Sequence, residues 1–261
     1  MIKALFFDID GTLVSFHTHR IPDSAVEAIA AARGRGIKIF IATGRPYAIV
    51  NNLGALQARG LVDGYITMNG GYCFVEGEVI HKGIIPSEEV HTLARLSVEH
   101  DFPCIFVEEH TLSVCRPTDE VAKVFYDFLK VDRLPTCTPD EVVDKEIFQM
   151  TPFITPEQEQ RFMPLLPHCE AGRWYPTFAD LTAKGNTKQH GVDLLIRRFG
   201  IRLEETMAFG DGGNDMGMLR HVSLGVAMGN ASDQVKAAAD YVTSEVDEDG
   251  IANALRHFGL C

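Results

Sequence analysis

Three largely apolar runs open the chain: IKALFFDI over residues 2–9, IKIFIAT over 37–43 and GYITM over 64–68. They lack the strict alternation of a strand with one wet face. Such runs suit strands buried on both faces of a parallel sheet. Between the first two, the stretch from Pro22 to Arg35 carries apolar residues at helical spacing. Pro22 suits a first turn, and Gly34 and Gly36 suit the end. A second helix-like stretch follows Gly44-Arg45-Pro46. Strands alternating with helices in this way predict an α/β fold with a doubly wound, mostly parallel sheet.

The rhythm then changes. Residues 72–83 read as a hairpin about Glu76-Gly77, and from Pro86 to about Leu181 helices and paired strands are mixed, including a helix near 119–130. The α/β rhythm resumes at Asn186 with a helix (TKQHGVDLLIRRF), the strand TMAFGD, a short helix (NDMGMLRH), the strand VSLGVAM, a helix (SDQVKAAA) and the strand DYVT. The expectation is therefore a core domain in two pieces, 1–82 and 184–261, with an inserted α+β cap domain over 83–183. A cleft between core and insert is the expected place for a ligand.

Composition narrows the picture only a little. At 46% hydrophobic and 23% charged, the chain has the make-up of an ordinary globular protein. No apolar run is long enough for a membrane span, and the N-terminus lacks the pattern of a secretory signal, so cytoplasm is the expectation. The formal net charge of −12 argues against nucleic acid, whose binding needs basic patches. It does not exclude a small anion, because a bound cation can invert the local field. The six cysteines (Cys73, Cys104, Cys115, Cys137, Cys169 and Cys261) have no paired metal-site spacing and read as free thiols. The ten histidines show no such spacing either. Trp174, Tyr175 and Phe178 read first as packing within the insert, with stacking on a ring as the alternative.

The candidate chemistry sits just after the core strands. Asp8 and Asp10 follow the first, Thr43-Gly44-Arg45 the second, and Asp211 with Asn214 and Asp215 follow TMAFG, while Lys188 opens a helix. In a parallel α/β sheet the carboxyl ends of the strands share one edge, where ligands bind. Taken singly, these clusters also read as ordinary structure: Asp8-Ile9-Asp10 as a turn, GDGGND as a loop capping a helix, Arg45 as the partner of a core carboxylate. Their joint occurrence after successive strands is the stronger signal. Carboxylates gathered at one edge repel unless a cation joins them, and hard oxygen ligands suit Mg²⁺. The Thr43 hydroxyl, the Thr43-Gly44 backbone, a helix N-terminus and the Lys188 ammonium can cradle a phosphate. Asp8 is then placed to attack phosphorus and Asp10 to move protons. Arg45 is a candidate for contact with substrate or cap, and Asp180, just before the chain re-enters the core, is a candidate for a substrate hydroxyl.

DIDGTL at Asp8–Leu13, TGR at Thr43–Arg45, KGNTK leading to Lys188, and GDGGNDMGML at Gly210–Leu219 resemble the four ordered motifs of the haloacid dehalogenase superfamily. The match is to its phosphatase branch, with Cof-type sugar-phosphate phosphatases most similar, and it runs the length of the chain. About thirty residues separate Asp10 from Thr43, too few for a lid, so the insertion after Asn69-Gly70 resembles the large α/β cap found between the second and third motifs. The resemblance implies Mg-dependent hydrolysis of small phosphomonoesters, sugar (hexose) phosphates first, through an aspartyl-phosphate. It implies Asp8 as nucleophile, Asp10 as general acid/base, and Thr43 and Lys188 on the phosphate. Mg²⁺ would be held by Asp8, the Asp10 main-chain carbonyl and Asp211, while Asn214 and Asp215 would support the phosphate, the lysine and the metal shell. A phosphomutase of the same superfamily and a non-catalytic phosphometabolite-binding protein are the alternatives. The expected partner is a small phosphomonoester, with a monomer favoured over an oligomer.

Overall fold

The computed structural model describes residues 1–261 except the side chain of Trp174, so its alternative as a stacking platform lies outside the described residues. In chain order the elements are β1 (Ala4–Phe7), α1 (Asp23–Gly34), β2 (Lys38–Ala42), α2 (Gly54–Gln57), β3 (Gly64–Thr67), β4 (Tyr72–Val75), β5 (Glu78–Lys82), α3 (Ser87–Glu99), β6 (Cys104–Val107) and β7 (Leu112–Cys115). There follow α4 (Asp119–Val121), α5 (Pro139–Val142), β8 (Gln149–Pro152), α6 (Pro156–Phe162), β9 (Cys169–Tyr175) and β10 (Phe178–Ala183). The chain closes with α7 (Lys188–Phe199), β11 (Thr206–Gly210), α8 (Met216–His221), β12 (Leu224–Ala227), α9 (Asp233–Lys236), β13 (Tyr241–Val242) and α10 (Gly250–His257).

Two compact units result. The first comprises Met1–Gly44, Asn52–His81 and Thr187–Cys261; the second comprises Lys82–Asn186 together with Arg45–Asn51. An eight-stranded sheet in the order β13-β12-β11-β1-β2-β3-β4-β5 forms the frame of the first. Its strands run parallel from β13 through β3, and β4 then turns antiparallel to β3. The central strand β1 shows why its run is apolar throughout: all four residues are buried. Ala4 and Phe6 join Phe40, Ala42, Ile66 and Ala208 under Val192, Leu195 and Ile196 of α7 and Met218 and Leu219 of α8. The alternate residues, Leu5, Phe7, Ile39, Ile41, Met207 and Phe209, are equally buried. On that side Phe7 stacks on Phe209 with ring centroids 4.8 Å apart. Burying each such side chain contributes about 1.5–3 kcal/mol, so the strand has no register in which it could turn one face to water.

The second unit carries a five-stranded antiparallel sheet in the order β7-β6-β8-β10-β9. Val90 and Leu93 of α3 and Phe162 of α6 pack with Cys104, Phe106, Met150 and Leu181 of that sheet. One expectation is modified here. The helix anticipated near 119–130 is only three residues of α-helix, continuing as a π-helical segment over Ala122–Phe128. There the N–H of Leu129 reaches back five residues to the carbonyl of Val124, at 2.9 Å. Phe178 is fully buried and stacks on Tyr175 at 5.5 Å, so this pair packs within its own sheet. Among the described residues, no helix is long and apolar enough to cross a membrane.

Candidate active site

The carboxyl edge of the parallel sheet gathers acidic groups because β1 and β11 are neighbours in register, with Phe7 opposite Phe209. Asp8 follows β1 at once, and its N–H donates to the Phe209 carbonyl at 3.1 Å. The next residues curl tightly: the Gly11 and Val14 N–H groups donate to the carbonyls of Val14 and Ile9, at 2.9 and 2.8 Å. Gly11 sits at φ +81°, and a Cβ there would lie 2.2 Å from Asp211 Oδ2, so this turn and the Asp211 loop meet only with glycine at the position. Thr12 clamps the same loop, its hydroxyl donating to Asp211 Oδ1 at 2.8 Å. Asn230 adds a third tie, donating to the Gly11 carbonyl at 2.8 Å.

Lys188 arrives from the other side. It is the first residue of α7, whose N-cap Thr187 accepts the His190 N–H, and whose buried Val192, Leu195 and Ile196 hold the helix to the sheet. Lys188 is only 2% exposed, and its ammonium donates at 2.6 Å to both Asp8 Oδ1 and Asp215 Oδ1. Asp215 is wholly buried, and its second oxygen accepts the N–H groups of Asp211 and Gly212 at 3.1 and 2.9 Å. A Cβ on Gly210 would fall 2.5 Å from the Asp215 Cβ, so β11 has to end on glycine for that carboxylate to fit. One carboxylate oxygen from each of Asp8, Asp211 and Asp215 lies within 4.8 Å of the others.

Three carboxylates against one ammonium leave an excess of negative charge. Burial pushes the Asp8 carboxyl up to about 7, helped by Asp215 and opposed by Lys188. Burial likewise pushes Asp211 up to about 8, with Asp8 and Asp215 adding to it and the Thr12 hydroxyl opposing. For Lys188, burial disfavours the charged form, but the attraction of Asp215 and Asp8 outweighs it, and the net shift is upward. Buried hard oxygen donors with more negative charge than one ammonium can balance fit a small divalent cation.

The Thr43-Gly44 turn lies alongside. Thr43 is 1% exposed and its N–H donates to the Ile66 carbonyl, while its own carbonyl accepts the Asn69 N–H. Asn69 adopts φ 52° and accepts the side-chain amide of Asn214 at 3.0 Å. A Cβ on Gly44 would sit 3.3 Å from Asn69 and 3.5 Å from Asn214, so turn and amides are in close contact. Asp8, Asp211, Asp215 and Lys188 thus form one cluster, with Thr43, Gly44 and Asn214 on a neighbouring one in the same unit. Asp10 stands in the turn after β1, bridged to Val14. Arg45 and Asp180 belong to the second unit. There Arg45 donates to the Ile49 carbonyl at 3.3 Å, and Asp180 accepts from Gln149 and Thr151 at 2.9 and 2.7 Å. Thr12, Asn69 and Asn230 were not singled out from the sequence. For Thr12 the signal was its place in the DGT turn; Asn69 and Asn230 had none beyond proximity in the fold.

Comparison with known proteins follows the same lines. The profile of haloacid dehalogenase-like hydrolases matches residues 5–255. The solved structure of the sugar phosphatase BT4131, of subclass IIB of the HAD superfamily, is 64% identical, covers 99% of this chain and 100% of its own, and superposes with a TM-score of 0.96. That of the phosphatase BT1666 from Bacteroides thetaiotaomicron is 38% identical over 100% of this chain and 96% of its own, with a TM-score of 0.91. In Bacillus subtilis, the 5-amino-6-(5-phospho-D-ribitylamino)uracil phosphatase YcsE is 28% identical over 99% of this chain and 96% of its own.

Proposed function

The chain belongs to the haloacid dehalogenase-like hydrolases and is a phosphatase, and from that premise we propose that it hydrolyses sugar phosphates through an aspartyl-phosphate on Asp8, with Mg²⁺ as cofactor. The observation that carries the reading is the Lys188 ammonium held at 2.6 Å between Asp8 and Asp215 at the carboxyl edge of the sheet.

Asp8 uses one oxygen to accept from Lys188, which leaves Oδ2 to attack phosphorus in line with the departing oxygen. As the bond from phosphorus to that oxygen breaks, the Asp10 carboxyl gives it a proton. Asp10, now a carboxylate, takes a proton from the water that next attacks phosphorus, and the Asp8–phosphorus bond breaks to regenerate the enzyme. Lys188, the Thr43 hydroxyl and the Asn214 amide face the phosphoryl oxygens, where preorganised donors act on developing charge. Asp8, the Asp10 carbonyl and Asp211 would hold Mg²⁺, which would supply a positive charge to offset the buried carboxylates and the charge developing on the phosphoryl group. Asp215 accepts from Lys188 with one oxygen and from the Asp211 and Gly212 N–H groups with the other, so its part is to orient Lys188 and the Asp211 loop.

Sugar phosphates are favoured by the likeness to BT4131, a sugar phosphatase by name and 64% identical. Substrate choice is assigned to the second unit, and the enzyme to the cytoplasm, in keeping with its free cysteines. The test is Asp8→Asn, which keeps the shape but removes the attacking charge. Release of phosphate from a sugar phosphate should fall to background while the circular dichroism spectrum is unchanged. Substantial turnover by a folded Asp8→Asn protein would sink the mechanism.

A further inference from the structure

Away from the carboxylates, the second unit brings two thiols together that the sequence keeps apart. Cys115 ends β7 and is buried in the apolar cluster over the five-stranded sheet, while Cys137 packs against that cluster only partly buried. Their sulfurs lie 3.0 Å apart, inside van der Waals contact. A disulfide needs about 2.05 Å, a closing movement of roughly 1 Å. The backbone holds the pair in place. Val114 donates its N–H to the Pro135 carbonyl at 2.9 Å, and Cys137 donates its own to the Val114 carbonyl at 3.0 Å. The segment ending in Cys137 thus lies along β7 as a short parallel bridge.

The two sulfurs are not equivalent. The hydrogen bond from Cys115 lowers the Cys137 thiol to about 7; burial opposes this, the Ser113 hydroxyl and Lys145 assist, and Glu141 opposes. The same hydrogen bond, with burial, pushes Cys115 upward. A third thiol, Cys104, stands across the β6–β7 ladder from Cys115, but it is completely buried and its thiol is pushed well up by that burial. One sulfur is therefore ionisable and within reach of solvent, one is its neutral neighbour, and the third is inert.

We propose that Cys115 and Cys137 form an oxidisable dithiol that hydrogen peroxide converts to a disulfide. The Cys137 thiolate attacks a peroxide oxygen and the O–O bond breaks. This leaves Cys137 as a sulfenic acid, and the departing oxygen takes up a proton to become water. The Cys115 sulfur then attacks the Cys137 sulfur, the S–O bond breaks, and the hydroxyl leaves as a second water with the Cys115 proton. Two thiols lose two electrons in all, and one peroxide becomes two waters. The product closes a loop over residues 116–136, which contains the π-helical segment, and a dithiol reductant reopens it.

The experiment treats the whole reduced protein with one equivalent of hydrogen peroxide near pH 7 and counts thiols by alkylation, with peptide mapping. Two of the six thiols should disappear together, in a cross-linked peptide pair joining Cys115 to Cys137, and dithiothreitol should restore both. A thiol with pKa about 7 is about half thiolate at that pH, against a few per cent for an ordinary cysteine, so Cys137→Ser should slow peroxide consumption about tenfold. Cys115→Ala should leave Cys137 as a sulfenic acid that dimedone captures, and Cys104→Ser should change nothing. Wild-type mapping needs no variant and stands even if a substitution impairs folding. A cross-link through Cys104, dimedone capture of Cys137 in the wild type without a cross-link, or thiol loss spread evenly over the cysteines would each overturn the proposal.

Discussion

Lys188 and Asp215 should be coupled energetically to a degree that an exposed pair never reaches. The Lys188 side chain is 1% exposed and that of Asp215 not at all, and the two meet at 2.6 Å. Exposed ion pairs contribute about 0.2–1 kcal/mol, whereas breaking a buried one by removing a partner costs about 3–5 kcal/mol. Lys188→Met keeps the length of the side chain and leaves Asp8 and Asp215 without their cation. Asp215→Asn keeps an oxygen for the N–H groups of Asp211 and Gly212 and turns its NH₂ towards Lys188, donor against donor. Lys188→Met should therefore cost about 3–5 kcal/mol, and Asp215→Asn less, because Lys188 keeps its contact with Asp8. The double variant leaves only Asp8 without the cation, so its loss should fall short of the sum by about 1–3 kcal/mol. Urea unfolding in chelator near pH 7.5, followed by circular dichroism, completes the cycle. Losses that add within about 0.5 kcal/mol would show that the cluster is not a cooperative unit, and the role given to Asp215 would fall with it.

Asp10→Asn should slow alkyl and sugar phosphates by roughly 10²–10⁴-fold while sparing aryl phosphates, whose leaving groups need little protonation; equal losses on both would mean that Asp10 acts by positioning. Metal binding should depend on pH. Asp8 at about 7 and Asp211 at about 8 lie above the ordinary 3.8, so the metal-free folded protein holds protons that the unfolded chain has already lost. Stability from these two groups is full below pH 3.8 and is lost as pH rises through about 7 and 8, and a cation has to displace the same protons. Calorimetry should find Mg²⁺ affinity rising to a plateau above about pH 8, with proton release below it; a flat profile would contradict this. Asp180→Ala strips Gln149 and Thr151 of a shared acceptor and should cost about 2–4 kcal/mol of stability. Turnover of sugar phosphates should fall more than that of a small aryl phosphate, and equal losses would remove Asp180 from substrate recognition.

The central sheet was legible because its strands are buried on both faces. A run such as Leu5-Phe6-Phe7 has no other comfortable environment, and the polar residues that close such runs mark the carboxyl edge. Asp8, Asp211 and Lys188 could be placed near one another from topology alone. What the sequence concealed depends on contacts distant along the chain. That Arg45–Asn51 packs with the second unit follows from tertiary contacts, not from any break in composition. The acidic run EVDEDG, by contrast, reads as the entry to a helix, and α10 does begin there, with Asp249 at φ 60° as its cap. The pairing of Asn69 with Asn214 and of Cys115 with Cys137 needs the ladder register, which periodicity does not supply. Helical spacing near 119–130 carried no signal that the backbone would widen to a π-helix.

The most direct test of the mechanism is to catch the phosphorylated enzyme. Protein turning over a sugar phosphate with Mg²⁺ is quenched with borohydride, which reduces an acyl phosphate to an alcohol, and its peptides are weighed. The expected result is homoserine in place of Asp8, appearing only with substrate and in step with an initial burst of released sugar. A burst with homoserine at another carboxylate, or with no reduced residue at all, would contradict an aspartyl-phosphate on Asp8.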